Sequence, residues 1–185
     1  MARRIGVRAS PIRIRPARLE DLAAIEAIEA AVFEADRLSR RSLRYFLKSK
    51  SALFLVLEVN NHVAGYSLMS FRQGSLGARL YSIALDPVEQ GRGLGRFLLG
   101  ASERAAKARG AVAMRLEVRV DNARAIELYK KNGYRSFAAA EHYYQDGAAA
   151  LCFKKEFAHE GDAERAPVYP RGGSLSLARS KPSTS

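Results

Sequence analysis

The stretch SIALDPVEQGRGLGRFLLGASERAAKARG, residues 82–110, connects an apolar strand pattern to an amphipathic helix pattern. The apolar run ends at Asp86-Pro87, and QGRGLG, residues 90–95, then supplies three glycines before helical spacing begins. A helix start presents backbone N–H groups without intrahelical partners and the positive end of the helix dipole. Glycines let an anion approach that backbone and permit positive φ angles. The stretch therefore predicts a strand, a glycine loop and a helix that together bind an anion, with a pyrophosphate as the best candidate.

The spacing of the glycines argues against two common nucleotide-binding motifs. A Walker loop requires Gly-Lys-Ser/Thr after a glycine and four residues, and the chain lacks that pattern. A dinucleotide fingerprint requires G-x-G-x-x-G in the first βα unit, whereas residues 91–95 read G-x-G-x-G and follow several other elements. A glycine-rich turn without any ligand is the alternative interpretation.

The remaining patterns predict the element order β-α-α-β-β-β-α-β-α-β-β. Strand patterns occupy residues 12–18, 52–59, 62–71, 78–85, 111–120, 134–140 and 148–156. Helix patterns occupy 20–33, 92–109, a segment that Ser39 caps and another that Asp121 or Asn122 caps. Hairpins give antiparallel pairs, whereas the helix at 92–109 connects strands that should be parallel neighbours. The fold class is mixed α/β (α+β), with a central, mostly antiparallel sheet flanked by helices.

The composition predicts one domain over residues 12–157, a basic N-terminal extension over 1–11 and a disordered tail over 158–185. Residues 1–18 carry six arginines and no acid, which is half of the net charge of +12. This segment either attracts RNA weakly or is simply solvated, and nucleic-acid contact is expected only there. The chain has no apolar run long enough for a membrane helix and no signal peptide, so we expect a cytoplasmic protein without a membrane partner.

A single cysteine, Cys152, excludes a disulfide framework and a thiolate zinc cluster. We expect no metal site, and we expect Cys152 to fill the core.

Three motifs resemble those of the GNAT acetyltransferase superfamily. Residues 90–95, QGRGLG, resemble the Q/R-x-x-G-x-G/A signature; LEVRVDNARAIELYKKNGY, 116–134, resembles the E-V-R-x-x-N-x-x-A-x-x-L-Y block; and EHYYQDGAAALCFKKEF, 141–157, resembles the closing Y-Y-x-D-G-x-D-A region. The resemblance covers residues 12–157 and is strongest to bacterial ribosomal-protein N-terminal alanine acetyltransferases. The segment 146–150, DGAAA, departs from the pattern because it lacks the second acid, which puts the positioning of a peptide in doubt.

The resemblance implies a GNAT-like fold and acetyl-CoA as co-substrate. The backbone of residues 83–85 would face the pantetheine arm, the glycine loop would hold the pyrophosphate, and the Leu85 N–H would polarise the thioester carbonyl. Asn122 would contact the coenzyme and also cap a helix. The implied coenzyme-binding residues are Ile83, Ala84, Leu85, Gln90, Gly91, Arg92, Gly93, Leu94, Gly95, Arg96 and Asn122.

The same resemblance implies two catalytic residues. Glu117 would be the general base, although a strand glutamate between Arg115 and Arg119 could instead pair with them. Tyr129 would be the general acid towards the departing thiolate, although a half-buried structural tyrosine on an amphipathic helix is the alternative. Tyr143 and Tyr144 could line the acceptor slot or serve packing alone.

The implied function is acetyl-CoA-dependent N-acetyl transfer to the N-terminal α-amine of a protein, with a ribosomal protein as the candidate substrate. An α-amine titrates near ~8 and a lysine near ~10.4, so a carboxylate deprotonates the α-amine more readily. The alternatives are a small-molecule amine or an internal lysine as acceptor, or a non-enzymatic coenzyme A-binding or RNA-associated module.

Overall fold

Seven strands form one sheet in the computed structural model, which describes residues 11–34 and 36–157. The strands are β1 (Ile12–Pro16), β2 (Ala52–Val59), β3 (His62–Phe71), β4 (Gly77–Leu85), β5 (Ala113–Arg119), β6 (Arg135–Ala140) and β7 (Ala150–Glu156). The helices are α1 (Leu22–Val32), α2 (Arg40–Lys48), α3 (Leu94–Ala108) and α4 (Ala123–Lys131). The predicted fold class and element order are confirmed. The first ten residues of the predicted extension and the predicted tail lie outside the described ranges.

Local signals in the sequence set the ends of several elements. Asn60 and Asn61 both adopt positive φ and close the β2–β3 hairpin. The Ser42 N–H donates to the Ser39 hydroxyl at 3.1 Å, so Ser39 caps α2 as predicted. Gly110, with φ of 84°, follows the last turn of α3. No helix in the described part of the chain is long and apolar enough to cross a membrane.

The strand order is β1-β2-β3-β4-β5-β7-β6, and β4 and β5 form the sheet's parallel pair. Their ladder contains only three residue pairs, from Gly77↔Ala113 to Arg79↔Arg115. Beyond this point β4 continues its pairing with β3 to Leu85, and β5 continues its pairing with β7 to Arg119. The facing edges of β4 and β5 therefore part, and a gap opens towards the carboxyl ends of both strands.

Helices cover the two sides of the sheet unequally. The side that packs on α3 and α4, which we term the α3 face, holds the larger apolar cluster, including Met114, Leu116 and Val118 of β5. The opposite side, the α1 face, carries α1 and α2 over β2, β3 and β4 only. Glu117 points to the α1 face because it alternates with Leu116 and Val118. Neither α1 nor α2 belongs to an apolar cluster with β5, so the described helices leave this part of the α1 face uncovered.

Some apolar side chains whose spacing along α3 and β5 fits a buried face are exposed instead. Phe97 of α3 is 46% exposed and Ala108 is also exposed, because the buried stripe of α3 runs through Leu98, Leu99 and Ser102. Val120 is 45% exposed because β5 ends one residue earlier, at Arg119.

A β-bulge in β4 changes which side chains reach the α1 face. Leu68 of β3 pairs with Ser82 and Met69 pairs with Leu80, so Tyr81 is the extra residue. As a result Tyr81 contacts Phe46 of α2 while Ser82 bonds the buried Tyr66 hydroxyl at 2.8 Å, both on the α1 face.

The end of β4 lies very close to β3 at Gly65. A Cβ atom at Gly65 would lie 2.4 Å from Leu85 Cδ2 and 2.9 Å from the Ala84 carbonyl oxygen. Only glycine fits there without displacement of β4, because contacts below 3.0 Å are repulsive. This close approach fixes the position of Leu85, the last strand residue before the glycine loop.

A buried carboxylate fixes the connection between α1 and α2. Glu29 is 2% exposed and accepts hydrogen bonds from the Leu38 N–H, at 2.9 Å, and from the Tyr66 hydroxyl. Because an unpaired buried carboxylate would be costly, these bonds hold the connection against the sheet. That connection carries Asp36, which takes part in the site described below.

Candidate active site

The glycine loop presents a row of unpaired backbone donors at the start of α3. Among the described residues, none accepts a hydrogen bond from the N–H groups of residues 91–96, and the first helical bond is from the Phe97 N–H to the Gly93 carbonyl. Gly91 and Gly93 have φ of 83° and 76°, and a Cβ at either position would meet no atom within 4 Å. Positive φ and open space in front of helix N–H groups are the features expected of an anion cradle.

Polar side chains hold the loop in this conformation. Gln90 donates through Nε2 to the Leu85 carbonyl at 3.3 Å and accepts from Arg124 of α4 at 2.6 Å. Asp86 accepts from the Val88 N–H at 3.0 Å and so caps the short turn Pro87–Glu89. Gln90, predicted to bind the coenzyme, therefore also connects the end of β4 to α4.

Two more of the predicted coenzyme-binding side chains also have protein partners. Arg92 forms an ion pair with Glu89, so its guanidinium already has a carboxylate partner. Asn122 caps α4 by accepting from the Ala125 N–H at 3.0 Å. The Asn122 side-chain amide donor has no acceptor in the described part of the chain, so capping and ligand contact are compatible.

The predicted strand segment Ile83–Leu85 lies along the gap between β4 and β5. This segment pairs with β3 on one side and has no ladder partner on the β5 side. Gly95 lies where the gap meets the loop, since a Cβ there would lie 3.7 Å from both Leu85 and Leu128 side chains. Leu94 is buried and anchors the first turn of α3, whereas Arg96 is exposed. The structure thus brings the predicted coenzyme-binding residues together at the end of the gap.

Glu117 pairs with an arginine that the sequence did not single out. The Arg79 Nε donates to Glu117 Oε2 at 2.9 Å, and Arg115 and Arg119 do not bond Glu117. The alternative in which Glu117 pairs with its strand neighbours is therefore wrong. Glu117 Oε1 has no hydrogen-bond partner among the residues described and is available to accept a hydrogen bond from a ligand or a water molecule.

Arg79 connects three segments of the site. Its Nη2 donates to the Tyr143 hydroxyl at 2.6 Å, and its guanidinium lies 5.3 Å from the centre of the Tyr81 ring. Tyr143 belongs to the β6–β7 connection, residues 141–149, so Arg79 of β4 holds that connection beside β5. One signal for Arg79 was present in the sequence, namely a charged residue within an otherwise apolar strand, but its partners come from 38 and 64 residues away.

Arg119 is the second arginine that holds the β6–β7 connection. It forms two hydrogen bonds to Asp146, at 2.8 and 3.1 Å, and its guanidinium lies 4.9 Å from the centre of the Tyr144 ring. It also lies 3.9 Å from Asp36, whose carboxylate accepts from the Gln145 N–H. The bond from Arg119 lowers the pKa of Asp146, and burial raises the pKa of Tyr144 to about 12.

Tyr129 is buried among Tyr134 and Phe153, with ring centres 5.7 and 6.3 Å away. Burial raises the pKa of its hydroxyl, and the nearby Tyr144 adds to that increase. The described residues provide no hydrogen-bond partner for this hydroxyl, so it keeps a proton available for donation. Tyr129 is therefore more deeply buried than the half-buried tyrosine of the structural alternative.

Cys152 does not fill the core, contrary to expectation. It is half-buried and lies directly opposite Glu117 in the β5–β7 register, and burial raises the pKa of its thiol. In the ranges 11–34 and 36–157, no group of three His, Cys, Asp or Glu side chains could hold a metal ion.

Comparison with known proteins identifies the family. Residues 19–134 match the model of the acetyltransferase (GNAT) family. The chain is 36% identical over 153 residues to an N-alpha-acetyltransferase of Sulfurisphaera tokodaii, across 75% of this chain and 89% of that one. The chain belongs to the GNAT family of acetyltransferases, and its activity is N-acetyl transfer.

Two further relatives carry names that refer to a ribosomal protein. A Bacillus subtilis protein, provisionally named a ribosomal protein bS18-alanine N-acetyltransferase, is 32% identical across 72% of this chain and 87% of its own length. The crystal structure of the Escherichia coli ribosomal-protein-S18-alanine N-acetyltransferase superposes with a TM-score of 0.73 at 28% identity, covering 84% of this chain and 100% of that chain.

The contacts of Arg119 generate a prediction for the β6–β7 connection. Arg119→Gln removes the paired bonds to Asp146 and the contact with Tyr144, so we expect several-fold faster amide hydrogen exchange in residues 141–149. Arg115→Gln is the control, because Arg115 lies on the same strand, is exposed and has no ion-pair partner among the described residues. Equal exchange in both variants would show that Arg119 does not hold the connection.

Proposed function

We propose that the protein transfers the acetyl group of acetyl-CoA to the N-terminal α-amine of a protein chain. One observation carries the proposal. The gap between β4 and β5 has unpaired N–H groups of residues 91–96 at one end and the Glu117 carboxylate along its side. The N–H groups at the helix start can bind the diphosphate of a long acyl carrier. The carboxylate beside the same gap can deprotonate the amine that receives the acyl group.

The coenzyme would be held mainly by backbone. The N–H groups of Gly91 to Arg96 would bind the pyrophosphate, and the free edge of β4 at Ile83–Leu85 would face the pantetheine amides. Arg96 and the Asn122 amide would add side-chain donors, whereas Arg92 would have to exchange Glu89 for a phosphate. When bound, the coenzyme supplies a thioester whose carbonyl carbon accepts the amine, and the Leu85 N–H would polarise that carbonyl.

Glu117 would act as the general base. Arg79 holds Oε2, so the carboxylate keeps one orientation and presents Oε1. An α-ammonium near pKa ~8 loses its proton to such a carboxylate, directly or through one water, more readily than a lysine near ~10.4 does. The lower pKa of the α-amine therefore favours a chain terminus over an internal lysine as the acceptor.

Tyr129 would stabilise the departing thiolate. A thiol titrates near ~8.5, and burial raises the pKa of Tyr129 above that of an ordinary phenol, so full proton transfer is unfavourable. A hydrogen bond from the hydroxyl to the sulfur requires no such transfer and stabilises the developing charge. Tyr129 would thus act as a donor that remains protonated throughout turnover.

The acceptor is proposed to be a protein N-terminus, and a ribosomal protein is the favoured partner. The names of the relatives in Sulfurisphaera tokodaii, Bacillus subtilis and Escherichia coli support this choice. The β6–β7 connection, held over the α1 face by Arg79 and Arg119, narrows the space around Glu117 and suits the end of a chain better than its middle.

The choice of acceptor is tested with two peptides that differ only at the N-terminus. Both contain one internal lysine; one has a free N-terminus and the other an acetylated one. With acetyl-CoA, we expect mass spectrometry to locate the new acetyl group on the α-amine of the first peptide and to find none on the second. Acetylation of the lysine in the blocked peptide at a comparable rate would contradict the proposed acceptor.

Glu117→Gln tests the base. The amide retains the size of the side chain and can still accept from Arg79, but it cannot take a proton. We expect kcat to fall by about 10²–10⁴-fold with coenzyme A affinity unchanged. Glu156→Gln, on the exposed end of β7, is the control and should retain full turnover. Normal kcat in Glu117→Gln would show that Glu117 is not the general base.

Gly93→Val tests the anion cradle against a control of equal backbone strain. Gly93 and Gly110 lie at opposite ends of α3, both have positive φ, and neither has an atom within 4 Å of a Cβ position. Valine at either site strains the backbone by roughly 1–3 kcal/mol and should lower Tm similarly. Only Gly93→Val places methyl groups in front of the donors, so calorimetry should show coenzyme A binding at least about tenfold weaker for this variant alone. Equal affinity in the two variants would argue against the cradle.

A further inference from the structure

The outward side of α2 carries a basic groove that the reaction itself does not use. Arg41, Arg44, Tyr45, Lys48 and Ser49 line a shallow groove of about 330 Å³. The spacing of Arg41, Arg44 and Lys48 places the three cations on one side of the helix. The inward side packs through Leu43, which is fully buried, so the outward side chains are not needed for the core.

The cations of this groove lack counter-charges. The neighbouring Arg40 pairs with Glu26, but no carboxylate in the described ranges pairs with Arg41, Arg44 or Lys48. Tyr45 is 66% exposed between them. Three unpaired cations around an exposed aromatic ring form a surface that attracts an anionic partner.

A continuous row of side chains connects the groove to Glu117. The Arg79 guanidinium, which bonds Glu117, lies 5.3 Å from the Tyr81 ring centre. The Tyr81 ring centre is 5.2 Å from that of Phe46, which is 5.6 Å from that of Tyr45. Tyr81 is 44% exposed, so this row is accessible from the α1 face, which is also the face that carries Glu117. Neighbouring side chains therefore link the groove to the proposed acceptor site.

We propose that the outward side of α2 binds an acidic segment of the acceptor protein a few residues after the acetylated amine. The proposal rests on the proposed function, because it requires a polypeptide acceptor. An extended chain advances about 3.3 Å per residue, so roughly five residues span the row from Arg79 to Tyr45. The cations from Arg41 to Lys48 extend over roughly 10 Å of helix, which corresponds to about three residues of that chain. Acidic side chains at positions 5–7 of the acceptor thus meet the groove.

A polypeptide suits this surface better than a nucleic acid does. The unpaired cations extend over two turns of one helix, which matches a few carboxylates. A nucleic acid would be expected to follow a longer basic track. The groove also lies beside the proposed acceptor site. A polypeptide whose N-terminal amine reacts at Glu117 would extend from the site along the same face and would therefore reach the groove.

The test compares three ten-residue acceptors with identical first four residues and with Asp, Asn or Lys at positions 5–7. For the unmodified protein we expect kcat/KM to be about tenfold higher for the Asp peptide than for the Asn peptide, through KM and not kcat, and lower still for the Lys peptide. Arg41→Gln/Arg44→Gln/Lys48→Gln should remove the preference. Arg104→Gln/Lys130→Gln/Arg135→Gln, which removes three exposed cations of α3, α4 and β6, should retain it. A four-residue acceptor should react equally well with all three proteins.

A binding measurement separates failure of this proposal from failure of the proposed function. Fluorescence anisotropy with labelled, N-acetylated Asp and Asn peptides measures their affinity for the protein in the absence of turnover. In one outcome no peptide is acetylated, but the Asp peptide still binds more tightly and loses that advantage in the α2 variant. This outcome would support the groove as a binding site and contradict the proposed function. Equal turnover and equal binding of the Asp and Asn peptides, or a preference that persists in the α2 variant, overturns the groove. So does a salt-dependent loss of oligouridylate binding in the α2 variant with the peptide preference intact, which would make the surface a nucleic-acid site.

Discussion

The parting of β4 and β5 after three residue pairs is the constraint on which the rest of the site depends. Each strand keeps its outer partner, β3 or β7, so the sheet loses only the ladder between them. The free inner edges carry backbone polar groups that require partners, and a long ligand with amide groups can provide them. The glycine loop lies at the end of this gap because it follows directly from the last residue of β4. Glu117 lies beside the gap because it is on the part of β5 that has left β4.

Much of this arrangement could be predicted from the sequence because its signals are local. Ser39 and Asn122 identify their own caps, and the glycines of the loop and the helix after it are contiguous. The alternation of apolar and charged residues along β5 is also a local signal, and it is sufficient to turn Glu117 away from the apolar cluster. The family resemblance added the roles of these residues but not their contacts.

The features that the sequence did not reveal depend on distant residues. Arg79 becomes the partner of Glu117 because three ladder pairs bring β4 beside β5, and Arg79 itself belongs to the last of these pairs. Cys152 was expected in the core, but its position opposite Glu117 follows from the β5–β7 register, which no local pattern encodes. The spacing of Phe97 fits an apolar helical stripe, but its side chain is exposed. The buried stripe of α3 is centred one residue further along, at Leu98.

The close approach at Gly65 has a consequence for reading related sequences. Because a side chain at this position would collide with the Ala84 carbonyl, a homologue with any other residue there must carry the end of β4 at a different distance from β3. The width of the cleft on the other side of β4 would change with it. A single column in an alignment would thus indicate in which family members the strand end before the glycine loop is displaced.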